Sequence, residues 1–108
     1  MDIITLIKPV ICFEYDISFK PSGEIESLDA IRSLINADYS YFLIYDNFCN
    51  YLINITSQEY EKFVDLNAYL ICNRSKSGSV AVHYFDVYAF HAEDYDLFST
   101  VRNSEIYN

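Results

Sequence analysis

Glycine is nearly absent from this sequence, because Gly23 and Gly78 are the only two in 108 residues. Neither lies in a G-x-G-x-x-G or P-loop pattern, so these backbone cradles for phosphate groups are excluded. The nucleophile elbow G-x-S-x-G and the zinc motif H-E-x-x-H are missing as well. With only two prolines and 52% apolar residues, the composition indicates a single folded domain over residues 1–108 rather than a disordered chain.

Cysteine is also scarce, and Cys12, Cys49 and Cys72 are the only three. Their number is odd, they form no C-x-x-C pair, and the two histidines do not complete a zinc spacing. We therefore expect three reduced, buried thiols, no metal and no cofactor. A nucleophile pair of Cys49 or Cys72 with His83 or His91 can be imagined, but no pattern favours it. The sequence predicts a protein that is not an enzyme.

Long apolar runs are missing too. No segment approaches the roughly 20 apolar residues that a membrane span requires. Asp2 stands where a secretory signal peptide would carry positive charge, and Lys8 and Pro9 cut the first apolar run short. These features predict a cytoplasmic protein.

Positive charge is the largest deficit. Sixteen acids face seven lysines and arginines, which gives a formal net charge of −9. Contacts to phosphates and to anionic membranes require basic residues, so the charge argues against direct binding to nucleic acid or to a membrane. It favours solubility or attraction to a basic protein partner, and charge alone does not decide between these two.

What the sequence does contain is an alternation of predicted strands and helices. Residues 10–20 alternate apolar and polar side chains, which predicts a half-buried strand. The other predicted elements are a helix over 27–37 capped by Ser27, strands over 39–46 and 51–55 joined by a hairpin loop, a helix that begins with the capping box Thr56–Glu59 and ends near Asn67, a strand over 68–72, a loop over 73–78, a strand over 79–90, and a terminal helix over 92–102 followed by a tail. An alternative in which the helix after Thr56 continues to Asn73 stays open.

This order of elements predicts an α+β fold. One mainly antiparallel sheet would carry two or three helices packed on one face. Residues 79–90 are apolar on both faces, which is typical of a strand in the middle of a sheet. Glu14 and Asp16 share the polar face of the first strand, where they would hold a cation or simply face water.

Acids and tyrosines cluster in two parts of the chain. From residue 86 onward, five acids face Arg102 as the only basic residue. The candidate partner-binding residues are Asp86, Tyr88, His91, Glu93, Asp94, Tyr95 and Asp96 in the first cluster, and Asp38, Tyr41, Tyr45 and Asp46 in the second. Tyrosine is enriched at binding hot spots, and carboxylates steer a basic partner. Two explanations stay open: the acids cap a helix and the tyrosines fill the core, or the balancing cations lie on another molecule.

A small acidic α+β protein without catalytic motifs resembles bacterial toxin-immunity proteins in size and composition, although no motif is shared. The resemblance implies an inhibitor that occludes the positive cleft of a nuclease-like toxin as a nucleic-acid mimic. Because acids and tyrosines gather there without balancing cations, we expect residues 86–96 to be central to the partner surface. Two other functions remain open. One is a phage-encoded inhibitor of a host nuclease or CRISPR effector, and the other is a structural or adaptor domain that self-associates through its aromatic surface.

Overall fold

The computed structural model describes residues 8–17, 22–73 and 81–107. The strands within them are β1 (Ile11–Tyr15), β2 (Tyr39–Asp46), β3 (Tyr51–Thr56) and β4 (Phe85–His91), and the α-helices are α1 (Gly23–Asn36), α2 (Glu61–Asn73) and α3 (Tyr95–Ile106). The strands pair antiparallel in the order β1-β4-β2-β3. This arrangement confirms the predicted α+β class.

The two strands in the middle of the sheet are β2 and β4. Phe42 and Leu43, which point to opposite faces of β2, are both fully buried, as are Phe85 and Val87 in β4. The predicted central position of this strand is confirmed by the order β1-β4-β2-β3, although only the face of Phe85 and Val87 is buried throughout, and Asp86 and Tyr88 lie on the opposite face. The strand begins later than predicted, because residues 81–84 form no regular structure and 74–80 lie outside the described residues.

Helices cover both faces of the sheet. α1 and α2 pack on one face through Ile31, Phe63 and Leu70. α3 packs on the opposite face, where Phe98 and Val101 contact Leu43 of β2. The prediction of two or three helices on one face is met by α1 and α2. Among the described helices, α3 alone packs on the opposite face, which we call the α3 face.

The predicted strand over 68–72 is wrong, and α2 continues without a break to Asn73. Phe63, Asn67 and Leu70 are buried at helical spacing, so the stripe that faces the sheet includes a polar residue. The Oδ1 of Asn67 accepts a hydrogen bond from the Tyr15 hydroxyl at 2.6 Å, whereas its buried Nδ2 has no hydrogen-bond partner among the described residues. Tyr15 lies on β1, and the local sequence does not reveal it.

Two helix ends also differ from the prediction. α1 begins at Gly23 rather than after Ser27, which lies within the helix. A Cβ at Gly23 would come within 2.5 Å of the Ile17 carbonyl oxygen, so only glycine permits this close approach. α3 extends to Ile106, so most of the predicted tail is helical.

All three cysteines are exposed, which contradicts the expectation of buried thiols. Cys12 lies on the polar face of β1, and Cys49 lies in the β2–β3 loop with φ of 67°. Cys72 lies on the outer side of α2, two residues after the buried Leu70. Their apolar sequence neighbours misled the prediction, because neighbouring residues of a strand, and residues two apart in a helix, point in different directions.

We expect Asn67→Ala to lower the free energy of unfolding by about 1–3 kcal/mol, because it leaves the buried Tyr15 hydroxyl without an acceptor. Urea denaturation would measure the loss. Replacing both polar groups, as Tyr15→Phe with Asn67→Leu, should recover much of it. A double variant less stable than Asn67→Ala would contradict this role of the pair.

Candidate protein-interaction surface

The α3 face is only partly covered, and a groove opens beside the C-terminal half of α3. The groove has a volume of about 300 Å³ and is lined by Tyr45, Cys49, Asp86, Tyr88, Val101 and Glu105. We call it the tyrosine–carboxylate groove. Asp86 and Tyr88 point into it from β4 because alternate residues of a strand share a face. Val101 and Glu105 come from α3, one helical turn apart.

Three tyrosine rings meet edge-on at this groove. The ring centroid of Tyr45 lies 5.4 Å from that of Tyr88 and 5.6 Å from that of Tyr51, with interplanar angles of 71° and 67°. Aromatic rings favour this geometry. Tyr88 nevertheless keeps 38% of its surface exposed. The rings thus hold one another in place and still present aromatic surface to solvent.

Carboxylates from three elements lie in the groove or beside it. Glu14 of β1 is directly opposed to Asp86 of β4 in the strand register, and Glu105 of α3 lines the other side of the groove. Desolvation, and then the charges of Glu14 and Asp86, raise the pKa of the nearby Tyr84. Like charges that are directly opposed destabilise an antiparallel strand pair. The groove therefore concentrates negative charge.

The basic residues that the structure describes do not neutralise this charge. Arg32 pairs with Asp29 at 3.6 Å on α1, and Lys62 pairs with Glu59 at 2.6 Å beside α2. Arg102 of α3 forms no ion pair with a described residue, and its buried Nε has no hydrogen-bond partner. Within residues 8–17, 22–73 and 81–107, the carboxylates at the groove have no cation bound to them.

Burial and the neighbouring groups raise the pKa of two groove tyrosines. Burial raises the pKa of Tyr45 to about 12, and the Glu105 carboxylate adds to the shift through its charge and a hydrogen bond with the phenol. The pKa of Tyr88 is raised mainly by hydrogen bonding and charge interaction with Cys12, followed by burial and the charge of Asp86. Both phenols are therefore uncharged donors at neutral pH.

This shift predicts how stability depends on alkaline pH. An unfolded tyrosine titrates near pH 10, about two units below Tyr45 in the fold. The stabilising contribution of Tyr45 is therefore complete below about pH 10 and is lost as the pH rises toward about 12. We expect the free energy of unfolding to fall across this window, and to fall less in Tyr45→Phe. Urea denaturation at several pH values would measure both slopes, and equal slopes would contradict the shift.

His91 has a structural role. It is 6% exposed, and its Nδ1 accepts a hydrogen bond from the Glu93 backbone N–H at 3.1 Å. Its ring lies edge-on to Tyr39, with centroids 5.6 Å apart. The imidazole thus caps the start of the 3-10 turn Ala92–Asp94.

Two predicted aspartates stabilise turns. The Oδ1 of Asp46 accepts hydrogen bonds from the backbone N–H groups of Phe48 at 2.8 Å and Asn50 at 3.0 Å, which orders the β2–β3 loop. Asp38 has φ of 69°, and its carbonyl accepts the Ala92 N–H at 2.8 Å. Short polar side chains are favoured at such turn positions.

The remaining predicted residues gather at the start of α3. Glu93, Asp94 and Asp96 lie in the 3-10 turn and the first turn of the helix, where the helix dipole favours negative charge. Tyr95 is 54% exposed and lies edge-on to Tyr41, with ring centroids 5.4 Å apart. Along the helix axis this group is about 14 Å from Glu105. The structure thus separates the predicted site into two parts.

Tyr45, Asp86 and Tyr88 are the predicted residues that the fold brings together at the groove. Sequence reasoning missed Glu14 as their neighbour, and it missed Glu105 at the groove. The face of Glu14 was visible from the alternation in β1, but its partner depended on the pairing of β1 with β4. Glu105 was assigned to the tail, although it follows Val101 at the helical spacing of four residues.

A cluster of metal ligands and a membrane-spanning helix are both absent from the described part of the chain. No group of three or more His, Cys, Asp or Glu side chains there is arranged to hold a metal ion. None of the described helices combines the length and apolar character needed to cross a bilayer.

Comparisons of the chain with protein-family models, with curated proteins and with solved structures give no match.

Proposed function

We propose that this protein is an immunity protein, a small acidic inhibitor that neutralises a basic, nuclease-like bacterial toxin in the cytoplasm by occluding its active cleft. One observation carries the proposal. The tyrosine–carboxylate groove and its border combine Glu14, Asp86 and Glu105 with exposed tyrosine surface, and none of these acids pairs with a described cation. In this proposal the protein is not an enzyme and needs no metal or cofactor.

The energetics of the groove favour a role in binding over a role in folding. The opposition of Glu14 and Asp86 lowers stability by an amount on the order of 0.2–1 kcal/mol. A basic partner would supply positive charge whose attraction to both carboxylates offsets this repulsion. Local instability of this kind is typical of surfaces that are kept for function.

The expected partner follows from the sign of the charge. A nuclease cleft is positive because it binds phosphates through lysine and arginine. Carboxylates match such a cleft electrostatically and increase the rate of association. Tyrosine adds contact area with only two side-chain torsions to fix. A surface with both features can occupy the cleft in place of nucleic acid.

The proposal is tested by capture with the full-length tagged protein, followed by mass spectrometry and an activity assay. The expected result is a basic nuclease that is inhibited at a one-to-one ratio, and that is captured poorly by Asp86→Asn with Glu105→Gln. Asp29→Asn with Glu59→Gln, on the α1 and α2 side, is the charge-matched control. Equal capture by both double variants would contradict the proposed surface.

The identity of the captured protein also decides between related functions. A host nuclease or CRISPR effector would assign the same surface to a phage-encoded inhibitor. A homodimer that captures no basic protein would overturn inhibition and favour the adaptor alternative.

A further inference from the structure

We infer that the tyrosine–carboxylate groove receives the guanidinium group of one arginine side chain. The inference rests on the proposed function, because it specifies which group of a basic partner enters this site. It follows from the size of the groove, from its aromatic rings and from the placement of its carboxylates.

The size of the groove limits what can enter it. A volume of about 300 Å³ is at the lower end of the range for small-molecule sites, which is about 300–1,000 Å³. It suits one long side chain better than a helix or a strand. Val101 supplies an apolar contact along the side of the groove, where the methylene groups of an arginine would lie.

The aromatic rings favour a cation of planar shape. Tyr45 and Tyr88 pack edge-on at 71°, so the two rings lie in different planes and an entering group can stack on only one of them. A cation within about 6 Å of a ring face is attracted by the ring quadrupole. Guanidinium stacks flat on such a ring, whereas an ammonium group is a compact, strongly hydrated charge.

The carboxylates lie on two different elements. Asp86 extends from β4 and Glu105 from α3, and both line the groove. Guanidinium carries five N–H donors in a fixed fork, so it can bond to carboxylates on two sides at once. A carboxylate has about four lone-pair sites, so Glu105 can accept hydrogen bonds from more than one donor.

The test uses N-acetylarginine amide as the probe, with chemical shifts of the isotope-labelled full-length protein as the readout. We expect saturable shifts at the groove residues, with a dissociation constant on the order of 1 mM, which is the range of a single weak contact. The lysine probe, acetylated at the α-amino group so that its side-chain ammonium keeps the same charge, should bind at least about five-fold more weakly. No saturable shift at the groove, or equal binding of the two probes, would overturn the inference.

Variants locate the binding. Glu105→Gln and Asp86→Asn should each raise the dissociation constant of the arginine probe about five-fold, which corresponds to the upper range for exposed ion pairs. Tyr88→Leu should weaken it about 2- to 30-fold through loss of the ring face. Glu93→Gln removes the same charge at the far end of α3 and should leave binding unchanged. An equal effect of Glu93→Gln would show a general attraction to negative charge and overturn the assignment to the groove.

The outcome separates this inference from the proposed function. If a basic nuclease is inhibited but the arginine probe does not bind, the inference fails and the proposed function stands. If the probe binds at the groove but no basic protein associates, the proposed function fails and the arginine site stands.

Discussion

Phe63→Ala should lower the free energy of unfolding by about 3–5 kcal/mol, the range for removal of a fully buried aromatic side chain. Phe63 has 0% of its surface exposed. Its ring centroid lies 5.8 Å from that of Tyr15 and 5.5 Å from that of Phe42. The side chain therefore connects α2 to β1 and β2, and no neighbouring group can fill the space without a shift of the sheet.

The matched control is Val64→Ala, one residue further along the same helix. Val64 is 45% exposed, so we expect a change within about 0.5 kcal/mol. Chemical denaturation would measure both variants. A domain of this kind has a total stability of about 5–15 kcal/mol, so Phe63→Ala can approach complete unfolding, and Phe63→Leu then gives a smaller, measurable loss. Equal losses at positions 63 and 64 would contradict the orientation of α2.

The second large effect concerns binding. Asp86→Asn combined with Glu105→Gln should weaken binding to the basic partner by about 2 kcal/mol or more, because desolvated charge pairs would be lost. The same change should leave stability unchanged or raise it by a few tenths of a kcal/mol, because Asp86 no longer opposes Glu14. Calorimetric titration and thermal unfolding would measure the two quantities. A loss of stability without a loss of affinity would contradict a binding role for the groove.

The charge-matched control is Glu93→Gln with Asp96→Asn at the start of α3. If these acids serve the helix dipole, each replacement should lower stability by about 0.3–1 kcal/mol and leave the dissociation rate of the complex unchanged. The sequence-based hypothesis, which placed residues 86–96 at the centre of the partner surface, predicts a faster dissociation instead. The comparison of the two double variants therefore decides which end of α3 contacts the partner.

Elements with a local signal could be predicted from the sequence. The β2–β3 hairpin was found from its aromatic and β-branched residues, and the capping box was found from its spacing. In that box the Thr56 N–H donates to Glu59 at 3.0 Å. The length of α2 could not be predicted locally. Asn67 interrupts its apolar stripe, and Tyr15, which donates a hydrogen bond to its Oδ1, lies 52 positions away.

The same difference between local and long-range information applies to the groove. The alternation along β4 was sufficient to place Asp86 and Tyr88 on one face. The neighbour Glu14 depended on strand order, because β1 pairs with β4 rather than with the next strand in sequence, β2. In the sequence, His91 lies close to Glu93 and Asp94 and was predicted to contact the partner. Its burial follows from packing against Tyr39, which is distant in the sequence.

The most direct test of the central claim is the association rate with the captured partner at two salt concentrations, for the wild type and for Asp86→Asn with Glu105→Gln. The screening length falls from about 30 Å at 0.01 M salt to about 8 Å at 0.15 M. We predict that the wild-type rate falls steeply between these conditions and that the double variant associates more slowly and with a weaker salt dependence. A wild-type rate that is indifferent to salt, together with unchanged affinity of the double variant, would contradict an acidic surface that binds a basic cleft.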